Sequence, residues 1–387
     1  MRKTLILILI MVIIIGICPL SEVYANGVTE QELDNSVNNV LGGIDFSKLD
    51  EYLSNLEKNS LLNNGFLSKI KQILSGEFDS AETFLQYISQ LFLGQFTKCL
   101  PTLVSILAIG ILCGLFSKNR GSLLSHSTNE IIYLVCFSLI IVEVLIVCYK
   151  LVSTSIATLQ SIKLVTNLSM PIILTLMIAS GTVCTAQVYQ PAIAMFSGGI
   201  IEIVVGIIMP LISVSLVFSV ISNLSNNVKV DKLSSVIKNA SIWILGTVFT
   251  IFTAFLTVQG LTATSIDGIS LKAAKFATKN YIPILGGYLS DGFDIIVAST
   301  VLIKNSLGVV SLILLLLTII SPILEIMVYS LGLQVVTAVI EPVTDERIVK
   351  FMSAVSQNLT ILVVAIIAVA FMFLVLIMLS LFTAGAI

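Results

Sequence analysis

Residues 258–308 read VQGLTATSIDGISLKAAKFATKNYIPILGGYLSDGFDIIVASTVLIKNSLG, and this stretch decides how the rest of the chain is interpreted. It holds three aspartates, four lysines and several glycines, whereas long apolar runs with almost no charge lie on either side. Lipid cannot satisfy polar or irregular backbone, so such a stretch in a membrane protein lines protein or water. We therefore expect the function of the chain to concentrate here.

The composition is that of a membrane protein. The chain has 387 residues, of which 57% are hydrophobic and 11% are charged, whereas about a quarter of the residues of a soluble domain are charged. The acidic excess belongs to the segment between 26 and 98, and nothing in the charge distribution indicates nucleic acid. We predict an all-α, polytopic protein of the cell membrane whose partners include the lipid bilayer and no nucleic acid.

The N-terminus has the pattern of an export signal. Two basic residues precede an apolar run from 5 to 18, and Val23 and Ala25 satisfy the cleavage rule of signal peptidases. The sequence therefore predicts a cleaved signal peptide at 1–25. An uncleaved first span is the alternative.

Two further regions follow the signal. Between 26 and 97, apolar residues recur at helical spacing in short, interrupted patterns, which predicts a small extracytoplasmic helical segment. A segment this short buries little core, so it leans on the membrane surface or on a partner, or it stands as a solvated stalk. Residues 98–387 are predicted to form a multi-spanning membrane domain.

The membrane domain contains runs of about 20 apolar residues, the length that a helix needs to cross a bilayer. Two further segments, 164–186 and 283–303, are long enough to cross, but each begins near a proline. For these two, a spanning and a re-entrant structure both remain open. The clear candidate spans are 100–116, 131–149, 191–221, 242–258, 307–329 and 359–382.

The two ambiguous segments look like counterparts in an internal duplication. Pro171 and Pro283 are 283 − 171 = 112 residues apart, and the next matching proline follows each of them at the same spacing. The halves would be about 118–223 and 229–332. Duplicated halves with interrupted helices are a common plan of transporters and channels, in which the site lies at the interface of the repeats.

No pattern typical of an enzyme is present. The sequence contains one histidine, six cysteines without paired spacing, and none of the motifs of serine hydrolases, zinc proteases or phosphate-binding loops. We therefore predict no enzymatic activity, no metal and no cofactor.

Charged residues inside the apolar segments are the remaining candidates for function. An ionised carboxylate at mid-bilayer costs at least ~2.5 kcal/mol. Glu143, Glu202 and Glu325 must therefore be neutral, paired or in contact with water. Each of them either lines a pore or makes a structural contact between helices.

The opening stretch contributes three more charges with the same two interpretations. Asp291 and Asp294 lie within the ambiguous segment 283–303, and Lys304 precedes the next apolar run. Lys304 either extends to the membrane interface, as long basic side chains do, or pairs with one of the two aspartates.

The opening stretch also contains motif residues that match a known family. They are Gly260, Asp267, Gly268, Lys275, Pro283, Asn305 and Gly308. With the export signal, the acidic exported segment and the hydrophobic layout, these residues closely resemble the stage III sporulation protein AE family of endospore-forming bacteria. The resemblance extends over nearly the whole chain and is loose between 26 and 96.

The resemblance implies a multi-pass protein of the mother-cell membrane that surrounds the forespore. It implies membership of a channel complex that keeps the forespore competent for late gene expression. The implied partners are the sister stage III AA-to-AH proteins, the forespore channel protein Q and a YidC-type insertase. The family has no established catalytic residues, so none is assigned. The residues alone indicate a transporter or channel subunit, with an autonomous secondary transporter or a structural scaffold as alternatives.

Overall fold

The computed structural model describes most of the membrane domain and a small part of the segment before it. All regular secondary structure in the described residues is helical, which confirms the predicted all-α class. The predicted signal peptide lies outside the described residues. Those residues are Leu41, 47–55, 81–118, 126–224, 231–281 and 286–382.

The described helices are long. Near the middle of the chain lie two π-helical stretches, Met195–Ile200 and Val204–Ile208, separated by the short helical turn Ile201–Ile203. The α-helices are α1 (Ser47–Asn55), α2 (Ala81–Lys118), α3 (His126–Ala179), α4 (Val183–Ala194), α5 (Met209–Leu224), α6 (Asp231–Tyr281), α7 (Gly286–Ile340) and α8 (Glu346–Phe382).

The last two helices form the centre of the bundle. In the most apolar parts of α7 and α8, 67% and 72% of the residues are buried, against 22% in α6. A helix that is apolar all round is expected to be buried, and α7 and α8 satisfy this expectation. The α2 and α3 helices pack against α7, and α5 and α6 pack against α8.

Six helical stretches in the described residues are long and apolar enough to cross a membrane, which confirms a polytopic membrane protein. They are Ile88–Leu115, Ile131–Ala179, Val183–Asn223, Lys232–Val258, Asp294–Ile340 and Glu346–Leu381.

The two ambiguous segments are not separate units, which corrects the sequence interpretation. Residues 164–179 continue α3 without a break from the predicted span 131–149, and residues 286–303 continue directly into the predicted span 307–329 within α7. At 1.5 Å per residue, the 54 residues of α3 extend about 80 Å. Neither segment is therefore an independent crossing or an independent re-entrant loop.

The predicted halves both fold as helical hairpins, although the spacing differs from that in the sequence. The second helix of the first hairpin begins at Val183 and that of the second begins at Gly286, which are 286 − 183 = 103 residues apart. Pro171 lies inside α3, whereas Pro283 lies outside the described residues. The offset of 112 residues is therefore not the spacing of the hairpins, and a duplication remains a prediction.

The described part of the N-terminal segment packs on the bundle of its own chain. Leu49 of α1 is buried. The hydroxyl groups of Tyr52 on α1 and Thr318 on α7 lie 3.1 Å apart. The predicted boundary at residues 97 and 98 falls inside α2, so this helix continues from the N-terminal segment into the membrane domain without a linker.

Candidate functional site

Asp267, a residue of the family-like motif, is buried on α6 and caps another helix. Its carboxylate accepts hydrogen bonds from the backbone N–H groups of Cys184, at 2.9 Å, and Thr185, at 2.7 Å. It also accepts one from the Thr185 hydroxyl at 2.5 Å. Both N–H groups belong to the first turn of α4, where helical N–H groups lack partners within their own helix. A carboxylate at this position also opposes the positive end of the helix dipole.

The turn before α4 explains why a distant residue provides this cap. At the end of α3, Gly181 has a φ of 87°, a conformation that favours glycine. The N–H groups of Gly181 and Thr182 donate to the carbonyls of Ile178 and Met177, which is the Schellman pattern. The Thr182 hydroxyl also donates back to Met177, so it does not cap α4. The Asp267 carboxylate fills the place of a local cap.

Lys304 makes the complementary contact at the opposite kind of helix end. Its side chain is fully buried on α7, and its ammonium group donates to the carbonyls of Ser380, at 2.7 Å, and Leu381, at 3.4 Å. These carbonyls lie in the last turn of α8, where a cation is favourable. Gly308, one turn further along α7, lies so close to Leu381 that a Cβ atom would overlap its side chain.

The contacts of Lys304 differ from those that the sequence suggested. The side chain is buried, so it does not extend to an interface. Asp294 lies ten residues away on the same continuous helix, about 15 Å along its axis, so the two do not pair. The side chain of Asp291 is not among the described ones.

The three predicted intramembrane carboxylates all join α3 to a neighbouring helix. Glu202 and Glu325 form ion pairs with Lys163 and Lys150, at 2.5 Å and 2.7 Å. Glu143 accepts a hydrogen bond of 2.8 Å from the hydroxyl of Ser105 on α2. Sequence reasoning identified the carboxylates but not the two lysine partners, which lie 39 residues from Glu202 and 175 residues from Glu325.

A buried layer of hydroxyl and amide groups was missed by sequence reasoning. The Ser215 hydroxyl of α5 donates to the Asn358 side-chain oxygen of α8 at 3.0 Å and lies 3.2 Å from the Ser234 hydroxyl of α6. On the other side of α8, the hydroxyls of Ser330 and Ser356 lie 3.1 Å apart. Scattered serines in apolar helices gave no sequence signal, because their pairing depends on which helices become neighbours.

The remaining motif residues are less informative. Gly260, Gly268 and Lys275 lie on α6, but their surroundings are not described, and Pro283 lies outside the described residues. Asn305 is half-buried on α7. Within the described part of the chain, no group of three or more histidine, cysteine, aspartate or glutamate side chains is arranged to hold a metal ion.

The outward face of α6 shows a long, mainly apolar stripe, which we call the α6 stripe. At ~100° per residue its members fall within about 80° of one another around the helix. The exposed side chains of Thr247 and Lys272 lie within the same arc of the helix. From the first member to the last, 43 residues apart, the stripe is about 65 Å long. Its described members, all exposed, are Leu233, Val236, Trp243, Ile251, Val258, Ile269 and Phe276.

Long apolar helices, charges paired between helices and helix ends capped by distant side chains define a polytopic helical membrane protein. The family model of stage III sporulation protein AE matches residues 66–384. The chain therefore belongs to the stage III sporulation protein AE family, a family of sporulation proteins.

A curated relative supports the same membership. The chain is 23% identical over 335 residues to the stage III sporulation protein AE of Bacillus subtilis (strain 168), covering 85% of this chain and 84% of the relative. No solved structure matches the chain.

Proposed function

We propose that this protein is the membrane subunit of a channel complex that links mother cell and forespore and is needed for late forespore gene expression. It would lie in the mother-cell membrane around the forespore. Its proposed partners are the sister stage III AA-to-AH proteins, the forespore channel protein Q and a YidC-type insertase. Family membership supports the sporulation role.

The α6 stripe is the observation that favours a subunit over an autonomous protein. The hydrocarbon core of a bilayer is about 30 Å thick, whereas the stripe is about 65 Å long. A bilayer therefore covers at most about half of it. Large apolar surfaces that remain in water are typical of binding sites for other proteins, so we infer that a partner covers the rest.

The arrangement of the carboxylates argues against the alternative, an autonomous secondary transporter. Ion-coupled transporters use intramembrane carboxylates that bind and release an ion. Here the carboxylates of Glu202 and Glu325 are held by lysines of a neighbouring helix. Such pairs favour a role in holding the bundle together.

The proposal is tested with the double variant Ile251→Asn/Val258→Asn in sporulating cells. Both side chains are exposed, so the change should leave folding intact while weakening contact with a partner. We expect a normal amount of protein in the membrane and a large loss of expression from a late forespore reporter. Thr257→Asn is the matched control, because Thr257 is exposed but lies ~100° around the helix from Val258. Normal reporter expression in the double variant would contradict the proposal.

A further inference from the structure

The exposed side chains of α3 change from apolar to mostly polar at Lys150. Between 131 and 149, every exposed side chain is a large apolar one. From 150 to 179, the exposed side chains include Lys150, Ser153, Gln160, Asn167 and Thr175, and Leu164 and Ile178 are the large apolar exceptions on this described part of the helix. The exposed apolar side chains of the first part are Ile131, Leu134, Val135, Leu139, Val142, Ile146 and Tyr149.

The apolar part of α3 has the length of one bilayer. Its 19 residues, 131–149, extend about 28 Å at 1.5 Å per residue, and the hydrocarbon core of a bilayer is about 30 Å thick. Tyr149, which is 79% exposed, stands at the end of this part next to Lys150. Tyrosine and lysine are the residues that mark a membrane interface.

On the neighbouring helix α2, the membrane boundary lies at the same level as Lys150 of α3. Ser105 of α2 contacts Glu143 of α3, and the two helices are antiparallel. Lys98 and Lys150 each lie seven residues from that contact, in the same direction, so they share one level. On the membrane side of Lys98, α2 exposes Leu100, Val104, Leu112 and Leu115. On its other side, Phe92, Leu93 and Phe96 lie within about 9 Å of it, roughly the depth of a headgroup layer.

The opposite boundary lies at the corner between α7 and α8. The Thr344 hydroxyl in this corner donates to the Gly110 carbonyl of α2 at 2.9 Å, and Gly114 packs against Val343. Gly114 and Lys98 are 16 residues apart, about 24 Å. The corner exposes the charged side chains Glu341, Glu346 and Lys350. Charges therefore bound the apolar band at both ends.

We propose that the bilayer surrounds this band of α2 and α3, and that the remainder of α3, with the part of α7 packed against it, projects from the membrane on the side where α2 begins. The 30 residues of α3 from Lys150 to Ala179 then reach about 45 Å beyond the boundary. Lys304 lies 21 residues along α7 from Glu325, the ion-pair partner of Lys150, and so about 31 Å beyond it. The turn before α4 and the Asp267 cap lie at the far end of the projecting part.

The Lys163–Glu202 pair distinguishes this placement from one in which the hydrocarbon covers all of α3. The Glu202 side chain is 50% exposed and the Lys163 side chain 29% exposed. Charges that face hydrocarbon are costly, whereas the same pair on a water-facing surface carries no such penalty. The pair lies 13 residues, about 20 Å, beyond Lys150. On this placement the distal part of the α6 stripe also lies outside the bilayer.

Cysteine accessibility tests the placement. Single cysteines are introduced on the exposed face of α3, two in the band, Leu139→Cys and Val142→Cys, and two beyond it, Gln160→Cys and Asn167→Cys. All four positions are exposed in the protein, so differences between them report the surrounding solvent. The full chain is reconstituted in vesicles of phosphatidylethanolamine and phosphatidylglycerol, and a water-soluble maleimide is loaded on both sides by freezing and thawing.

Thiols beyond the band are expected to react at least about ten-fold faster than thiols within it, because only the hydrated thiolate reacts. The wild-type chain sets the background from the native cysteines, and denaturation should make all four variants react fully. Two positions on each side keep the comparison intact if one variant fails to accumulate. Equal protection of Gln160→Cys, Asn167→Cys and Val142→Cys would overturn the placement, as would rapid labelling of both band positions.

Discussion

The carboxylate of Asp267 accepts a hydrogen bond of 2.5 Å from the hydroxyl of Thr185, 82 residues away in the sequence. This contact joins α6 of the second hairpin to the first turn of α4 in the first hairpin. Lys304 makes the matching contact between α7 and the end of α8. Asp267 and Lys304, two charged residues of the stretch 258–308, therefore each cap the end of another helix.

Replacing Asp267 should destabilise the fold, and the loss should be larger the fewer hydrogen bonds the new side chain can accept from α4. Asp267→Ala leaves two N–H groups of α4 without a cap and is expected to cost ~1–3 kcal/mol. Asp267→Asn keeps one oxygen acceptor and should cost less. Thermal unfolding of the purified chain in detergent measures both. A wild-type midpoint for Asp267→Ala would show that the cap contributes nothing.

Lys304 should affect the end of α8 specifically. Lys304→Met keeps most of the side-chain volume but leaves the Ser380 and Leu381 carbonyls without their donor, so amide exchange in the last turn of α8 should accelerate. Lys304→Glu brings a negative charge to the negative end of a helix and should prevent accumulation of the protein. Lys272→Met, at an exposed position, is the control and should match the wild type.

The close approach at Gly308 gives a paired test. Gly308→Val places a branched side chain where Leu381 already lies and should destabilise by ~1–3 kcal/mol through overpacking. Leu381→Ala should restore part of the loss when combined with it, because it vacates that space. If the double variant is only as stable as the sum of the two single losses, the two residues do not interact in the way the structure indicates.

The two ion pairs of α3 should contribute differently to the stability of the fold. The Glu202 side chain is half exposed, so Glu202→Gln is expected to change stability by no more than ~1 kcal/mol. The Glu325 side chain is only 14% exposed, so Glu325→Gln should cost more, because burial reduces screening of the lysine it leaves behind. Unfolding midpoints of the two variants under one condition decide this. A larger loss for Glu202→Gln would contradict the described burial.

The sequence was sufficient for the helical class and for the long apolar stretches, because these depend on local composition and apolar periodicity. The sequence was not sufficient for contacts between helices, because these depend on which helices become neighbours. Lys304 was assigned to an interface or to a pair with Asp291 or Asp294, since the carbonyls that it contacts lie 76 residues away. The contact of Asp267 with α4 was not predicted for the same reason. The uninterrupted run of α3 from 131 to 179 was missed because the polar stretch that begins at Lys150 and ends at Lys163 interrupts the apolar pattern.

The most direct test of the proposed role is to identify which proteins co-purify with the chain from sporulating cells. The wild-type protein is extracted from their membranes in a mild detergent and separated by size, and the sister stage III proteins are followed in the same fractions. A subunit of the channel complex should elute with those proteins at a mass well above that of the chain alone. The Ile251→Asn/Val258→Asn variant should shift to the smaller mass. Elution of the wild-type chain by itself, with the sister proteins in other fractions, would contradict its assignment to the complex.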